Sequence, residues 1–464
     1  MIRISLIHRA LVAPLFVFAL TGPSMASEAL DDAEIGRHSR ALLFGAGEEV
    51  EKAIPALQAR GKPDVAAAFI LAARHRQILD PMLSRVLRDL TGHDAAGWFE
   101  WMVWQEANPQ VKPHPSFVAI KQEVLATIDA GFLQFLGGHR ALPEAMRIRL
   151  EEITWGGVRV DGIPSLDNPE LIGAAEADYL IDTDLVFGVE INGDARAYPL
   201  RIMGWHEMFN EVIGGVPVAL AYCTLCGSGI LYETQVEGRA EPFVFGSSGL
   251  LYRSNKLMFD RQTNSLWNQF TGRPVVGPLV DSGIELKIRP VAITSWQKWR
   301  ERHPETRVLS LETGHQRDYG SGVVYSDYFG SPNLMFPAAL RDGTGLRPKD
   351  YVFGIRRVGA SKAWPLTAFK DGAVINDTIG GQPVTLVGDE ASRTVRAYDR
   401  GDATFEKTED PAQLAGPGGR WQVAEDALIG PDGARLPRVP GHVAYWFAWD
   451  GYLGAKSELY DAGG

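Results

Sequence analysis

Cysteine is nearly missing from this chain: two residues in 464, Cys223 and Cys226. That scarcity excludes a disulfide scaffold and any four-cysteine zinc or iron–sulfur site built by one chain. Basic residues are also in deficit. Lys plus Arg is 46 against 57 Asp plus Glu, a net charge of −11, which leaves no cationic excess to neutralise nucleic-acid phosphates. Beyond the N-terminus no stretch approaches the ~20 apolar residues of a membrane-spanning helix. Phosphate-loop, dinucleotide, zinc-protease and kinase signatures are absent. What is there, 45% hydrophobic and 22% charged residues, is the composition of a folded chain with room for two or three domains of ~100–200 residues each.

The first residues have the form of a secretory signal. Arg3, His8 and Arg9 make a basic start, Ala10 to Leu20 is an apolar run too short to span a bilayer, and Ser24 and Ala26 are small residues ahead of a cleavage point. The expectation is export to an oxidising compartment, periplasmic or extracellular, with residues 1–26 removed and no integral membrane span left. Residues 27–149 read as an α-helical module. Asp64–Arg76 and Pro81–Leu90 carry apolar residues at helical spacing, and Pro55, Pro63 and Pro81 stand near expected helix starts. Trp98, Trp101 and Trp104 recur every third residue as a core stripe. The stretch from Leu87 to Trp101 is similar to HEAT-type helical repeats, which implies a packing or docking module for a protein partner.

From about residue 150 the texture becomes β-like. Leu185–Ile191, Val216–Tyr222, Ile230–Tyr232, Phe243–Phe245 and Pro383–Val387 alternate with Gly, Pro, Asn and Asp clusters. One short helix is expected over His206–Val212, placing His206 and Asn210 on one face, with Glu207 a solvated charge. The β part contains a duplication. Val186–Val189 matches Val352–Ile355, Ala195–Leu200 matches Ser361–Leu366, and Asn210–Val218 matches Asn376–Val384, all without a gap in the offset. The fold class is therefore α+β multidomain: a helical N-terminal module followed by a mainly β domain of two duplicated units, 150–320 and a degenerate 321–455, with a tail at 456–464. The repeat also acts as an internal control, because Cys223 and Cys226 fall opposite Asp389 and Ser392, and His206 and Glu207 opposite Gly372 and Ala373. The scaffold is built twice and the chemistry-bearing residues once.

The turn Cys223-Thr-Leu-Cys226-Gly227 lies between strand-like runs. It lacks the following helix that lowers thiol pKa in thioredoxin-type pairs, and is closer to a metal-binding cysteine knuckle. Three readings stand. As a soft-metal site for copper or zinc, the sulfurs are joined by His206 and Met258, with His303 or His315 as further candidates. As a redox dithiol, Cys223 attacks and Cys226 resolves. As a closed turn, the pair only shapes the hairpin within a binding or scaffold module. Phe245–Leu250, Gly-rich, reads as a tight turn, and Asp260-Arg261 with its echo Asp399-Arg400 as a structural turn or ion pair.

Glu152–Val158, Asp161–Ser165, Ala195–Leu200, His206-Glu207, Tyr222–Ser228, Asp260–Trp267 and His442–Trp449 together resemble, in order, the bacterial and archaeal family catalogued as domain of unknown function 3179, over about residues 150–455. Thr224 stands where that family often has Pro. The resemblance implies the domain's extent and export, and supplies no activity. The functional expectation is an exported metal-binding or metal-dependent protein acting on a small molecule or metal ion; the alternatives are a thiol–disulfide oxidoreductase and a non-catalytic binding module.

Overall fold

The computed structural model describes residues 30–138 and 145–461; the expected signal segment lies outside them. Six helices of ten or more residues run from Asp32–Phe44 to Phe117–Ile128. The first is fixed by a capping box, in which the Glu34 N–H donates to Asp31 Oδ1 (2.7 Å) and the Asp31 N–H to Glu34 Oε2 (3.0 Å). Asp80–Thr91 ends on Gly92 in the left-handed region. Pro63 opens a short helical turn and Pro81 is the second residue of its helix, whereas Pro55 lies inside Gly47–Ala59. Trp101 is fully buried, and Trp98 and Trp104 pack against the same core. That core continues into the sheet Ile153–Trp155, Phe245–Tyr252, Asn255–Asp260, Leu266–Asn268 and Arg273–Val276, so the helices cover one face of it.

The duplicated β units share their hydrogen-bond register. In the hairpin Leu185–Ile191/Asp194–Pro199, Val186 faces Pro199 and Gly188 faces Ala197. In Tyr351–Arg357/Ala360–Pro365, Val352 faces Pro365 and Gly354 faces Ala363. A meander follows each hairpin. Met208–Ile213, Val216–Cys223 and Ser228–Glu233 are repeated by Ala373–Ile379, Gln382–Asp389 and Thr394–Asp399. Cys223 pairs with Ser228 where Asp389 pairs with Thr394.

The correspondence also reaches residues outside the three sequence blocks. Asn210 exchanges hydrogen bonds with the Phe245 backbone (2.8 and 2.9 Å), and Asn376 does the same with Phe405 (3.0 and 2.8 Å). A returning strand beside each first hairpin leads into a helix whose tryptophan lies on the hairpin glycine. A Cβ on Gly188 would run into the Trp299 ring, and one on Gly354 into the Trp449 ring. Their indole N–H groups donate to Thr306 (2.9 Å) and Ser457 (2.8 Å). One core, including Phe187, Tyr198, Phe353 and Trp364, joins the two units.

Three sequence expectations are corrected. The expected helix over His206–Val212 is a helix over Leu200–His206 followed by a strand over Met208–Ile213. Glu207 takes a left-handed conformation, φ +54°, and ends the helix there. His206 and Asn210 therefore share no helix face, and Glu207 is buried, not solvated. The expected turn at Phe245–Leu250 is the middle of a strand, Phe245–Tyr252, covered on both sides. In both strands burial of both faces removes the alternation that distinguishes a half-exposed strand. The Asp260-Arg261 reading is structural, as expected: Asp260 accepts from the Thr263 N–H (2.6 Å) and the Trp267 indole (2.8 Å), and Arg261 pairs with Asp161 (2.8 Å).

Candidate functional site

The Cys223–Cys226 turn closes the hairpin between Val216–Cys223 and Ser228–Glu233. The two cysteines form a disulfide with Cα atoms 5.2 Å apart. Both are buried, Cys223 at 3% exposure and Cys226 at 0%. Backbone bonds from Cys226 to Cys223 O (3.1 Å) and from Gly227 to Thr224 O (3.2 Å) wind the turn. Gly227 has φ +60°, and a Cβ there would press against the Tyr351 and Tyr445 rings, at 3.0 and 3.3 Å, so glycine serves both the backbone and the stacking. Cys226 Sγ lies 3.4 Å from the Ser254 carbonyl oxygen, an acceptor that a Cys226 thiol can use.

Inside the turn, the Thr224 hydroxyl donates to Glu207 Oε1. Glu207 is 7% exposed and Lys256 4%; the ammonium is 3.1 Å from Glu207 Oε2 and 3.3 Å from its carbonyl oxygen. The backbone N–H of Tyr222 donates to that same carbonyl (2.8 Å). Glu207 is thus held by backbone and side chain at once, which maintains a left-handed backbone at a residue type that disfavours it. Tyr328 OH donates to Leu225 O (2.8 Å), and Tyr325 closes over Thr224. Burial, reinforced by the Glu207 charge, pushes the Tyr325 phenol up to about 12, and burial pushes those of Tyr222, Tyr328 and Tyr445 higher still. These phenols stay protonated at any physiological pH.

The second unit shows what this turn looks like without sulfur. Ser392 Oγ donates to Asp389 Oδ2 (2.5 Å), and Lys298 Nζ reaches the same oxygen (2.5 Å). A hydrogen bond spans the positions that the disulfide spans in the first unit.

The residues expected to ligate a metal have separate engagements. Met258 packs in the same aromatic core as both cysteines. His206 is fully buried, with Nδ1 3.0 Å from Pro164 O and Nε2 2.6 Å from Tyr319 OH. A carbonyl only accepts, so Nδ1 carries the proton and Nε2 accepts from the phenol. Burial lowers the His206 pKa to about 4, and both nitrogens are occupied. His315 lies beside His206, ring centroids 5.2 Å apart, while His303 lies tilted against Trp299, centroids 4.2 Å apart. Among the described residues no group of three or more His, Cys, Asp or Glu side chains is gathered as a metal site. Cys223, Cys226 and His206 form no such group.

Sequence reasoning singled out the two cysteines and missed their surroundings. Lys256 sits in an apolar strand, and Tyr325, Lys349 and Arg393 come from distant segments. Glu207 lies in one of the family-like motifs, whereas Thr224 stands out only as the position where that family often has Pro. No helix of the described residues is long and apolar enough to cross a membrane.

Residues 160–455 match the family model described as Protein of unknown function (DUF3179), and the chain belongs to that family. No curated protein and no solved structure matches it.

Proposed function

We propose that this chain is an exported thiol–disulfide redox protein in which Cys223–Cys226 cycles between disulfide and dithiol. The observation that carries this reading is the buried Glu207–Lys256 pair hydrogen-bonded into the turn through Thr224, present only in the unit that has sulfur. A disulfide serving as a staple needs no buried ion pair hydrogen-bonded to its turn; in the second unit a Ser392–Asp389 hydrogen bond replaces the disulfide, and the Lys298–Asp389 pair there is far more exposed than Glu207–Lys256. Reduction takes up two electrons and two protons. A thiolate attacks Cys223 to form a mixed disulfide, the S–S bond breaks, and Cys226 leaves, takes a proton and donates to Ser254 O; a second thiolate then attacks the mixed disulfide and releases Cys223, which takes the second proton. The buried carboxylate–ammonium pair reaches the turn through the Thr224 hydroxyl. Export rests on the signal-like N-terminus, and matches a pair whose oxidised form suits an oxidising compartment.

The test is the reduction potential of Cys223–Cys226, by equilibration with a dithiol buffer and counting of free thiols. The expected value lies in the range of catalytic pairs, about −270 to −120 mV. A value below about −300 mV marks a structural disulfide and overturns the proposal. Stoichiometric copper or zinc on the reduced protein, lost in Cys223→Ser, favours the metal reading instead.

A further inference from the structure

Two cations stand over the cysteine turn without a counter-charge. Arg393 lies with its guanidinium 4.2 Å from the Tyr351 ring centre and donates to Tyr351 OH (2.7 Å). Lys349 lies with its ammonium 3.4 Å from the Tyr328 ring centre and donates to the carbonyls of Tyr328 and Ser331. Neither is among the ion pairs of the described residues, whereas Arg196, Arg201, Lys256 and Lys362 each have a carboxylate. Both rings they rest on touch the turn: Tyr351 covers Gly227, and Tyr328 bonds Leu225. Tyr351 OH in turn donates to Tyr445 OH (3.0 Å), and Tyr445 covers the other side of Gly227. Leu225, Lys349, Tyr351 and Arg393 are all partly exposed, so this face is where a molecule from solvent meets the turn. Glu207, the acid hydrogen-bonded to the turn, is already paired with Lys256.

Arg393 sits one residue beyond Ser392, at the place in the second unit that Gly227 holds in the first. The second unit thus has no sulfur in its own turn and sends a guanidinium toward the sulfur turn of the first. In a chain of net charge −11, two unpaired cations on aromatic faces beside the one disulfide form a local anion-attracting spot. Burial holds the Lys349 ammonium below its ordinary value.

We propose that the face formed by Arg393, Lys349, Tyr351 and Leu225 is the substrate site of the redox turn, and that the reductant it takes is a small thiol carrying a carboxylate. This rests on the redox reading above. The carboxylate pairs with the guanidinium and ammonium while the thiolate attacks Cys223. The S–S bond breaks, a mixed disulfide forms, and Cys226 leaves and is protonated. A second thiol then attacks the mixed disulfide, giving the small-molecule disulfide and the Cys223/Cys226 dithiol. Two thiols are oxidised and one protein disulfide is reduced.

The experiment follows appearance of protein thiols in the full chain with 3-mercaptopropionate, 2-mercaptoethanol and cysteamine as anionic, neutral and cationic probes. Rates are taken per thiolate. The expected result is a preference for 3-mercaptopropionate over 2-mercaptoethanol of roughly tenfold or more at low ionic strength, collapsing with added salt. The ratio of the two rates should fall to about one in Arg393→Gln/Lys349→Gln. Arg393→Lys, which keeps the charge, should keep most of the preference and shows that loss in the double variant is not misfolding. Equal rates with all three probes overturn the anionic-substrate site and leave the redox reading standing. A disulfide that no probe reduces in the folded protein overturns both.

Discussion

Glu207 is the residue on which the site turns. Its backbone ends one helix in a left-handed conformation, and its carboxylate joins Thr224 to Lys256. Removing only its charge leaves an ammonium buried and unpaired, which costs about 3–5 kcal/mol. Glu207→Gln should therefore lower the urea midpoint strongly, and Glu207→Gln/Lys256→Met should recover part of the loss; equal loss in both would show that the pair is not coupled. Desolvated histidines contribute to the acid limb of stability. Burial depresses His206 and His75 to about 4 and His442 to about 3. Above the unfolded value near 6.5 both states are neutral. Below it the unfolded chain binds protons that the folded chain refuses, so stability falls as the pH drops toward the folded values. Glu106, raised to about 7 by burial, opposes this in part as it gains its proton. His442 Nε2 has no hydrogen-bond partner in the structure. His442→Leu should accordingly remove on the order of 3 kcal/mol from the destabilisation between pH 6.5 and 4, read as a flatter plot of Tm against pH.

At the scale of elements, the hairpin and meander are specified independently of the cysteines. The second unit builds the same pairing with Asp389 and Ser392. A disulfide spanning so short a loop contributes about 2 kcal/mol by chain entropy. Cys223→Ala/Cys226→Ala should fold with unchanged far-UV dichroism and a Tm lower by several degrees. Loss of the β signal would instead show that the first unit depends on its disulfide. The duplication was legible here because Val, Phe, Gly and Pro recur at matched positions and because glycine is required under Trp299 and Trp449. The strand at Met208–Ile213 was not. Met208, Phe209, Asn210 and Glu211 are all buried, so no polar–apolar alternation marks the strand, and the spacing of Met208, Phe209 and Val212 imitates a helix.

Across the whole molecule, the helical part and the β part share a core. Phe135 meets Phe259 with ring centroids 4.9 Å apart, and Arg74 and Lys121 reach across to the carbonyls of Trp155 and Ile153 (2.7 and 2.6 Å). Lys121 is buried, which lowers it to about 7. A chain starting at residue 145 would expose Ile153, Leu250, Leu257, Phe259 and Leu266 together, an apolar patch of the kind that drives association. It should elute as aggregate on size exclusion where the full chain does not; a monodisperse product would show that the β part stands alone.

The order of residue types along the chain was enough to separate helical from β segments, locate the repeat and single out Cys223 and Cys226, because periodicity, glycine placement and cysteine count are properties of one dimension. The partners of those cysteines are not. Glu207, Lys256, Tyr328, Lys349, Tyr351 and Arg393 come from segments spread over more than 180 residues, and their side chains meet at the turn only after both units pack around a common core. Charge pairing, burial and the meaning of a buried lysine depend on that packing, since each is set by what stands opposite across the fold and not by its neighbours in sequence.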